Sequence, residues 1–445
     1  MTIKKVLIKL VPLMVIASML LIACGPGQVT TPITTEQPPA QGLVTVTFRS
    51  WSPIVETTTK MIEAFEANNP DVKVEATIFN YPEYIVDLKT RAASGTMADI
   101  VGLEPGALTQ EYRDYLLPLQ DCAEKTWGAN WKDKFYPIGI DQARLGNPSG
   151  DESIYGLPAL DQTINLWYNV PLFEEANLEP PKTYDEMLKV AEYFNGKGIA
   201  PLMVGASDGW LRRDVYMQLI HNIAPGKIYE AEVGNAKFTD PEFVEAMKWW
   251  KRLFDDKIIQ EGALGLSAYP GSMELIEAGK AAMFPMGAWW QQQATRPNPP
   301  PLSKGFVGYA PFRFPDVTGK GSPPEDLLGG IDVMLGISKN SKNADAACRV
   351  LTDFIAGAGA QALIDTINDL PAVKGLNPSS FETQHQEEVW KTFTEDWMPK
   401  VKYARQLRDA AVKQALEDAL AAVAAGEITP EQAMENVQKA WTPPK

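Results

Sequence analysis

The fold is decided by residues 44–79, which read VTVTFRSWSPIVETTTKMIEAFEANNPDVKVEATIF. The β-branched run Val44–Phe48 predicts a strand. A helix should follow it, because Ser52 is a good capping residue and Pro53 suits the first turn of a helix. Val72–Phe79 then predicts a second strand. The stretch therefore reads as strand, helix, strand.

The alternation continues beyond this stretch. A helix is predicted through Tyr84 to Ala93, and Asp99-Ile100-Val101 reads as a short buried strand. Such a series predicts an α/β fold, a sheet with helices on both faces. In these sheets ligands lie beyond the carboxyl ends of the strands, so side chains that directly follow a strand are the first candidates for a site.

The rest of the chain carries further helix and loop signals of the same kind and is long enough for a second domain. Its 445 residues exceed the roughly 250–300 at which a single core stops growing, so two domains are expected. Two proline-rich stretches, at residues 297–301 and 311–324, read as loops or crossovers between domains. Further helices are predicted to begin at Thr183, where Thr183-Tyr184-Asp185-Glu186 reads as a capping box, and at Asp240, Asn343 and Ala410. The last of these, over Ala410–Ala425, is expected to close the chain.

The N-terminus carries an export signal. Three lysines precede an apolar run from Leu10 to Ala23, which is too short for a stable membrane span. The run ends in Leu21-Ile22-Ala23-Cys24, which resembles the bacterial lipobox. We expect residues 1–23 to be a lipoprotein signal peptide, Cys24 to be lipidated and residues 24–41 to be a flexible linker. The protein would then be extracytoplasmic and anchored by lipid alone, with the choice of membrane left open.

Charge and rare residues exclude several function classes. A formal net charge of −15 disfavours nucleic acid as a partner, because phosphate binding needs a positive surface. Only two histidines, His221 and His385, are present, which argues against a metal site. Cys122 and Cys348 are available to pair in an exported protein, but their spacing gives no signal for or against a disulfide.

A series of different short segments is spread in order along almost all of residues 44–375. These segments are Trp51-Ser52, Gly95-Thr96-Met97-Ala98-Asp99-Ile100-Val101, Ile154-Tyr155-Gly156-Leu157-Pro158, Leu166-Trp167-Tyr168-Asn169, Thr183-Tyr184-Asp185-Glu186, Phe238-Thr239-Asp240-Pro241, Gly279-Lys280-Ala281-Ala282-Met283 with Gly287-Ala288-Trp289, and Gly329-Gly330 before Ile337-Ser338-Lys339. Together they resemble the extracellular solute-binding proteins of sugar ABC importers, the relatives of maltose-binding protein. Ala98 departs from the family pattern, which usually has proline there.

The resemblance implies the two-lobed periplasmic-binding-protein fold of type II, in which each lobe is a sheet flanked by helices and the ligand lies in a cleft between them. By this analogy lobe one comprises residues 42–158 plus 312–368, and lobe two comprises 159–311 plus 369–445. The resemblance also implies a monomer that binds a small sugar without chemistry or cofactor. Its protein partners would be ABC permease subunits with their ATPase.

Aromatic candidates for the sugar site come from loops and strand ends. A pyranose presents apolar C–H faces, so a site for it needs aromatic platforms. Trp289 matches the stacking tryptophan of the family. The Trp51-Ser52 turn follows the first strand, where a cleft residue should lie, and Trp210 reads as part of a loop after Ala206–Gly209. Trp249 and Trp250, on a helical stripe, are expected instead in the core or on a helix surface.

Polar candidates must pair with the sugar hydroxyls, since leaving them unpaired costs roughly 1–3 kcal/mol each. Asp161 lies at the expected hinge, Glu104 at the end of a lobe-one strand and Asp369 before Leu370-Pro371. Gly330 has no side chain to stop backbone amides from approaching a ligand. The competing interpretation of these carboxylates is a solvated loop charge.

Other functions remain open in the sequence. Gly205-Ala206-Ser207-Asp208-Gly209 has the G-x-S-x-G pattern of a hydrolase nucleophile, but neither histidine is well placed as its base. A cleft glycoside hydrolase, and a surface sugar sensor or adhesin, are the alternatives. The ligand could be a sugar, a polyol, glycerol phosphate or an oligosaccharide. A phosphorylated ligand would need arginines, for which Arg49, Arg212 and Arg213 are candidates.

Overall fold

The computed structural model of the chain describes residues 42–291, 308–367 and 369–443. From Leu43 onward these residues belong to one compact unit. The expected signal peptide, the lipidated Cys24 and the linker up to residue 41 lie outside the described residues, as does the proline-rich stretch at 297–301.

Strands and helices alternate through most of the described chain. The strands are β1 Val44–Ser50, β2 Val72–Ile78, β3 Ile100–Leu103, β4 Leu157–Asn169, β5 Ala200–Leu202, β6 Ala281–Gly287, β7 Tyr309–Phe312, β8 Leu327–Ile337 and β9 Val401–Ala404. The helices are α1 Val55–Asn68, α2 Tyr81–Ser94, α3 Ala107–Tyr112, α4 Gln120–Trp127, α5 Pro137–Gln142, α6 Val170–Ala176, α7 Tyr184–Gly196, α8 Gly209–Ile223, α9 Lys227–Glu232, α10 Pro241–Asp255, α11 Met273–Glu277, α12 Ala344–Ala356, α13 Ala358–Ile367, α14 Gln384–Lys391, α15 Ala410–Ala424 and α16 Pro430–Ala440.

The long strand β4 joins two halves of one mixed sheet. The strand order is β2-β1-β3-β8-β4-β6-β5, with β9 added beside β8 and β7 beside β4. Residues 157–163 of β4 pair with β8, and residues 164–169 pair with β6 and β7. Because β1 is parallel to both β2 and β3, the carboxyl ends of these three strands meet at one edge. That edge is where a ligand site is expected.

Each half of the sheet has its own aromatic core. In the first half, Phe354 of α12 packs against Phe48 of β1 at 5.8 Å between ring centroids and against Phe65 of α1 at 6.4 Å. In the second half, Trp290 packs against Phe284 of β6 at 4.5 Å and against Trp167 of β4 at 5.7 Å. Full burial of such a side chain stabilises the fold by about 1.5–3 kcal/mol.

Two predicted helix boundaries are wrong. Helix α1 begins at Val55 rather than at Pro53, because the hydroxyl of Ser50 hydrogen-bonds the main chain of Ser52 and holds a turn there. Ile54 is the N-cap residue of this helix and is 44% exposed. Nor does the helix from Ala410 close the chain, because α16 follows it with a complete capping box at Thr429.

The predicted start at Thr183 is confirmed, with one change in its capping. The Thr183 hydroxyl accepts a hydrogen bond from the Glu186 N–H at 3.3 Å, as in a capping box. The Glu186 carboxylate instead accepts from the N–H of Lys182 at 2.7 Å. At the start of α7 the N–H groups of Lys182 and Glu186 are therefore both hydrogen-bonded by side chains of this segment.

Among the described residues, no single helix has both the length and the apolar composition needed to cross a membrane. One bent pair, Ala344–Ala356 with Ala358–Thr366, passes this test of length and composition jointly.

Cys122 and Cys348 form a disulfide between α4 and α12, which resolves the question left open by their spacing. We expect the Cys122→Ser/Cys348→Ser variant to lose about 2–3 kcal/mol of unfolding free energy, because the unfolded chain gains freedom when the covalent loop is opened. Urea denaturation measures this loss, and reductant should shift the wild-type midpoint while leaving that of the variant unchanged. Equal midpoints for the oxidised wild type and the variant would contradict the assignment.

Candidate functional site

A cavity of about 430 Å³ opens at the edge where β1, β2 and β3 end. It is lined by aromatic, acidic and small polar side chains from both halves of the sheet. The lining includes Trp51, Ser52, Tyr81, Glu104, Asp208, Trp210, Tyr269, Trp289, Asp332, Asp369 and Arg405. Its volume lies within the range typical of small-molecule sites.

Aromatic rings approach the cavity from both halves of the sheet. From the first half, Trp51 follows β1 and packs edge-on against Tyr81, which follows β2, at 5.3 Å between ring centroids. From the second half, Trp210 stacks on Tyr269 at 6.3 Å and meets Trp289 at 6.1 Å. The indole N–H of Trp289 donates to the Tyr269 hydroxyl at 3.1 Å, which fixes the orientation of both rings.

Arg405 supports the second group of rings from behind. Its guanidinium lies 4.9 Å from the ring centroid of Trp289 and 5.6 Å from that of Trp210, within cation–π range. The same guanidinium holds the Asp214 carboxylate through Nε and Nη2 at 2.9 Å and reaches Asp332 at 3.1 Å. Arg405 is 5% exposed. It therefore ties the aromatic wall of the second half to β8 of the first.

Glu104, directly after β3, is held by three partners. Burial and the charge of Glu104 raise the pKa of Tyr81, so the Tyr81 hydroxyl stays protonated and donates to Glu104 at 2.6 Å. Gln406 donates at 2.8 Å and the Lys413 ammonium lies at 3.7 Å. Burial alone would raise the pKa of Glu104, but Lys413, Arg405 and Arg213 hold that pKa below its ordinary value. Glu104 is therefore a carboxylate at neutral pH.

Three other carboxyl groups are buried around the cavity with few partners. Burial raises the pKa of Asp332 to about 7. Burial, with the charge of Asp332, raises the pKa of Asp369 and of Asp161 to about 8. Asp161 is fully buried, and neither of its carboxyl oxygens has a hydrogen-bond partner among the described residues. The two of these groups that line the cavity, Asp332 and Asp369, give it an excess of acidic oxygen.

Six of the eight predicted ligand residues lie along the cavity. They are Trp51, Ser52, Glu104, Trp210, Trp289 and Asp369. The predicted loop position of Trp210 is wrong, because α8 begins at Gly209 and carries Trp210 in its first turn. Asp208, just before this helix, also lines the cavity and accepts a hydrogen bond from the Ala268 N–H at 2.9 Å.

Asp161 and Gly330 are not among the described residues that line the cavity. Gly330 lies within β8 at a φ of +90°, and a Cβ there would stand 2.2 Å from the side-chain amide nitrogen of Gln142. The oxygen of that amide accepts from the Ile331 N–H at 2.8 Å. The space beside Gly330 is therefore taken by Gln142 rather than left for a ligand.

We expect Gly330→Ala to destabilise the protein without weakening ligand binding. Gly128→Ala is the matched control, because Gly128 also has a positive φ, of +82°, but no atom within 4 Å of its added Cβ. The steric conflict should make Gly330→Ala less stable than Gly128→Ala by about 1–3 kcal/mol. Chemical denaturation measures the difference, and equal stabilities would contradict the packing role of Gly330.

Five of the eleven lining residues named above were not predicted as ligand residues: Tyr81, Asp208, Tyr269, Asp332 and Arg405. Asp208 was noted only as part of the G-x-S-x-G pattern. Tyr81 follows β2 just as Trp51 follows β1, so the same strand-end rule could have found it. Asp332 lies in the middle of an apolar strand, and Tyr269 and Arg405 lie in segments without a distinctive pattern. These three reach the cavity only through strand pairing and helix packing.

The acyl-hydrolase and phosphate-binding alternatives considered from the sequence find no support in this geometry. His221 contacts the Asp326 carbonyl oxygen at 2.6 Å and His385 contacts that of Tyr309 at 2.8 Å, and neither lines the cavity. Among the phosphate candidates, Arg49 pairs with Asp87 at 3.0 Å, Arg213 pairs with Glu417, and Arg212 donates to main-chain carbonyls that include that of Ser207.

Comparison with known proteins finds relatives that are described as solute-binding or sugar-binding proteins. The family model described as bacterial extracellular solute-binding protein matches residues 51–362. The multiple sugar-binding protein of Streptococcus mutans is 25% identical over 323 residues, 71% of this chain and 72% of that protein. The galactooligosaccharide-binding protein of Bacillus subtilis is 23% identical over 387 residues, 84% of this chain and 83% of that protein.

Solved structures share the fold over most of the chain. A chitin oligosaccharide binding protein superposes with a TM-score of 0.74 at 26% identity, covering 89% of this chain and 97% of that one. Maltose-bound T. maritima MalE3 superposes with a TM-score of 0.71 at 20% identity, covering 89% and 98%. The predicted α/β fold of the periplasmic binding proteins is thereby confirmed.

Proposed function

The chain belongs to the bacterial extracellular solute-binding proteins, as a sugar-binding receptor of the ABC transporter type and not an enzyme, and from this premise we propose how it works. It captures a carbohydrate in the cavity beside Trp51 and Trp289 and delivers it to a membrane permease. One observation carries this proposal. Aromatic rings and carboxylates from both halves of the sheet face a single cavity.

The lining has the chemistry that a pyranose requires. The faces of Trp51, Trp210 and Trp289 offer large, rigid platforms for the apolar C–H faces of sugar rings. The free oxygen of Asp369 and the hydroxyl of Ser52 are available to the hydroxyl groups at the rim of the sugar. Leaving such a group unpaired costs roughly 1–3 kcal/mol, so a sugar with a hydroxyl in the wrong place is rejected.

Closure of two lobes is the proposed conformational step. Lobe one, residues 42–158 plus 312–368, contributes Trp51, while lobe two, residues 159–311 plus 369–445, contributes Trp289. A ligand that contacts both favours the closed arrangement over the open one, and the permease then recognises the closed form. The hydrogen bond from Gln406 to Glu104 joins the same two lobes and supports this arrangement.

Membrane attachment and delivery complete the proposal. Lipid on Cys24 would hold the monomer at the outer face of the membrane, and residues 24–41 would give it reach. The partners would be ABC permease subunits, driven by their ATPase. Deletion of the gene should abolish uptake of the captured sugar, and a Cys24→Ser chain should be released from the membrane fraction. Unchanged uptake after deletion would instead favour a surface sensor or adhesin.

Thermal-shift measurements test ligand capture directly. The purified full chain is heated with mono-, di- and trisaccharides, polyols and sugar phosphates, and every ligand that raises the melting temperature is analysed for conversion. We expect stabilisation by one class of neutral or basic sugar, recovered unchanged. Stabilisation by sugar phosphates alone, or conversion of the ligand, would overturn the proposal.

A further inference from the structure

The cavity has far more acidic than basic side chains. The carboxylates among its described lining residues are Glu83, Glu104, Asp208, Asp332 and Asp369. The one basic side chain among those residues is Arg405. Burying like charges together is unfavourable unless each finds a partner. Each of these groups must therefore find its partner either within the protein or in the ligand.

Most of the charged side chains that line the cavity already have hydrogen-bond or ion-pair partners within the protein. Arg405 donates to Asp214, Gln162 and one oxygen of Asp332. Glu104 is held by Tyr81, Gln406 and Lys413, and Asp208 accepts from the main chain at Ala268. Since the Arg405 charge is matched by that of Asp214 and the Glu104 charge by that of Lys413, these groups leave no positive charge over for the other carboxylates.

Two buried carboxylates remain with an unused oxygen each. Asp369 is 2% exposed, and within the described residues only its own neighbour, the Leu370 N–H, donates to it, to Oδ1 at 2.9 Å. Asp332 is 8% exposed, and in the part of the chain that the structure describes its carboxyl group is hydrogen-bonded only by Arg405, through Oδ1 at 3.1 Å. The Oδ2 atoms of both groups lack a donor among the described residues, yet both side chains line the cavity. Burial raises the pKa of Asp332 to about 7 and that of Asp369 to about 8, so in the empty cavity both groups are largely protonated at pH 6.5, and they ionise when a cation binds beside them.

We propose that the ligand carries a protonated amine, as an amino sugar does, and that Asp369 and Asp332 receive this amine through their free oxygens. The inference rests on the proposed function and narrows its ligand class. An ammonium group brings three donors and the missing positive charge, whereas a hydroxyl brings one donor and no charge. The neighbouring faces of Trp210 and Trp289 also attract a cation.

The position of Arg405 does not oppose this assignment. Its guanidinium lies against the two tryptophans while two of its nitrogens hold the Asp214 carboxylate. That ion pair is neutral as a unit, so an incoming ammonium meets the free oxygens of Asp369 and Asp332 rather than an unpaired cation. Anionic sugars, by contrast, would bring no positive charge to these two carboxyl groups.

The test compares sugars that differ only in one substituent. Isothermal titration calorimetry at pH 6.5 is run on the purified full chain with glucosamine, galactosamine and the disaccharide of β-1,4-linked glucosamine. Each amine is paired with the same backbone carrying a hydroxyl and with its N-acetyl form. For a backbone that binds, we expect the amine to bind about 10- to 100-fold more tightly than the hydroxyl form.

Variants then assign the preference to the two carboxylates. Asp369→Asn and Asp332→Asn keep the shape of the side chain and should each remove most of the amine preference while binding of the hydroxyl form persists. Asp114→Asn is the control, because the Asp114 side chain is 91% exposed and lies outside the cavity lining. The melting temperature of each variant checks that it is folded. If one of the two variants does not fold, the other still shows whether the amine preference depends on these carboxyl groups.

The outcomes separate the two proposals. A hydroxyl or N-acetyl form that binds as tightly as its amine partner, or a preference that survives both variants, overturns the amine assignment and leaves sugar capture standing. If none of these sugars and no member of the thermal-shift panel binds, both proposals fail together.

Discussion

Replacing both Trp210 and Trp289 by alanine is expected to weaken binding of the captured sugar by about 1,000-fold, or about 4 kcal/mol. The two rings form the wall that the second half of the sheet presents to the cavity, and they are ordered by Tyr269 and Arg405. Truncation removes the apolar platforms and admits water to the rear of the site. Calorimetric titration with the sugar identified in the thermal-shift panel measures the loss.

The matched control is Trp249→Ala. Trp249 is half-buried on α10, where it packs against Tyr184 at 4.7 Å and Arg252, and it does not line the cavity. This variant should keep the affinity of the wild type while losing some stability. If the double variant binds as tightly as the control, the aromatic wall is not the binding surface.

Asp161→Asn is expected to be more stable than the wild type at alkaline pH, by up to about 5 kcal/mol at pH 9. Burial raises the pKa of Asp161 from an ordinary value of 3.8 to about 8. The folded protein therefore keeps a proton that the unfolded chain releases. This retained proton stabilises the folded state relative to the unfolded chain. The stabilisation is complete below pH 4, declines as the pH rises and is gone above pH 8. Asparagine has no charge to bury, so the variant escapes this decline.

Urea denaturation at pH 4, 6.5 and 9 measures the effect, with exposed Asp114→Asn as the control. The advantage of the Asp161 variant should grow with pH, while that of the control should stay near zero. Since the Asp161 N–H, not its side chain, bonds to the Leu370 carbonyl at 2.8 Å, the substitution leaves that contact in place. A variant no more stable than the wild type at pH 9 would mean that Asp161 is ionised and satisfied in the folded state.

Local signals in the sequence were sufficient for most of the fold. The first strands and helices were found because β-branched runs and capping residues act within a few positions. Helix α16 was missed although Thr429 and Gln432 carry the same capping signal that was recognised at Thr183. The start of α1 was misplaced because Ser50, rather than Ser52, organises the turn.

Only part of the site could be predicted from such local signals. Trp51 and Glu104 were found because the carboxyl ends of β1 and β3 meet at one edge. Asp332 and Arg405 were beyond reach, since they meet only when β8 pairs with both β4 and β9. Gly330 was misinterpreted because a glycine in sequence gives no sign of whether a ligand or, as here, the Gln142 side chain fills the space beside it.

A crystal structure of the chain grown with the sugar that stabilises it tests the central claim most directly. The account predicts one unmodified sugar in the cavity, with Trp51 on one side and Trp210 and Trp289 on the other, and a polar group of the ligand at Oδ2 of Asp369. An empty cavity at saturating sugar, or a sugar bound elsewhere on the surface, would contradict it.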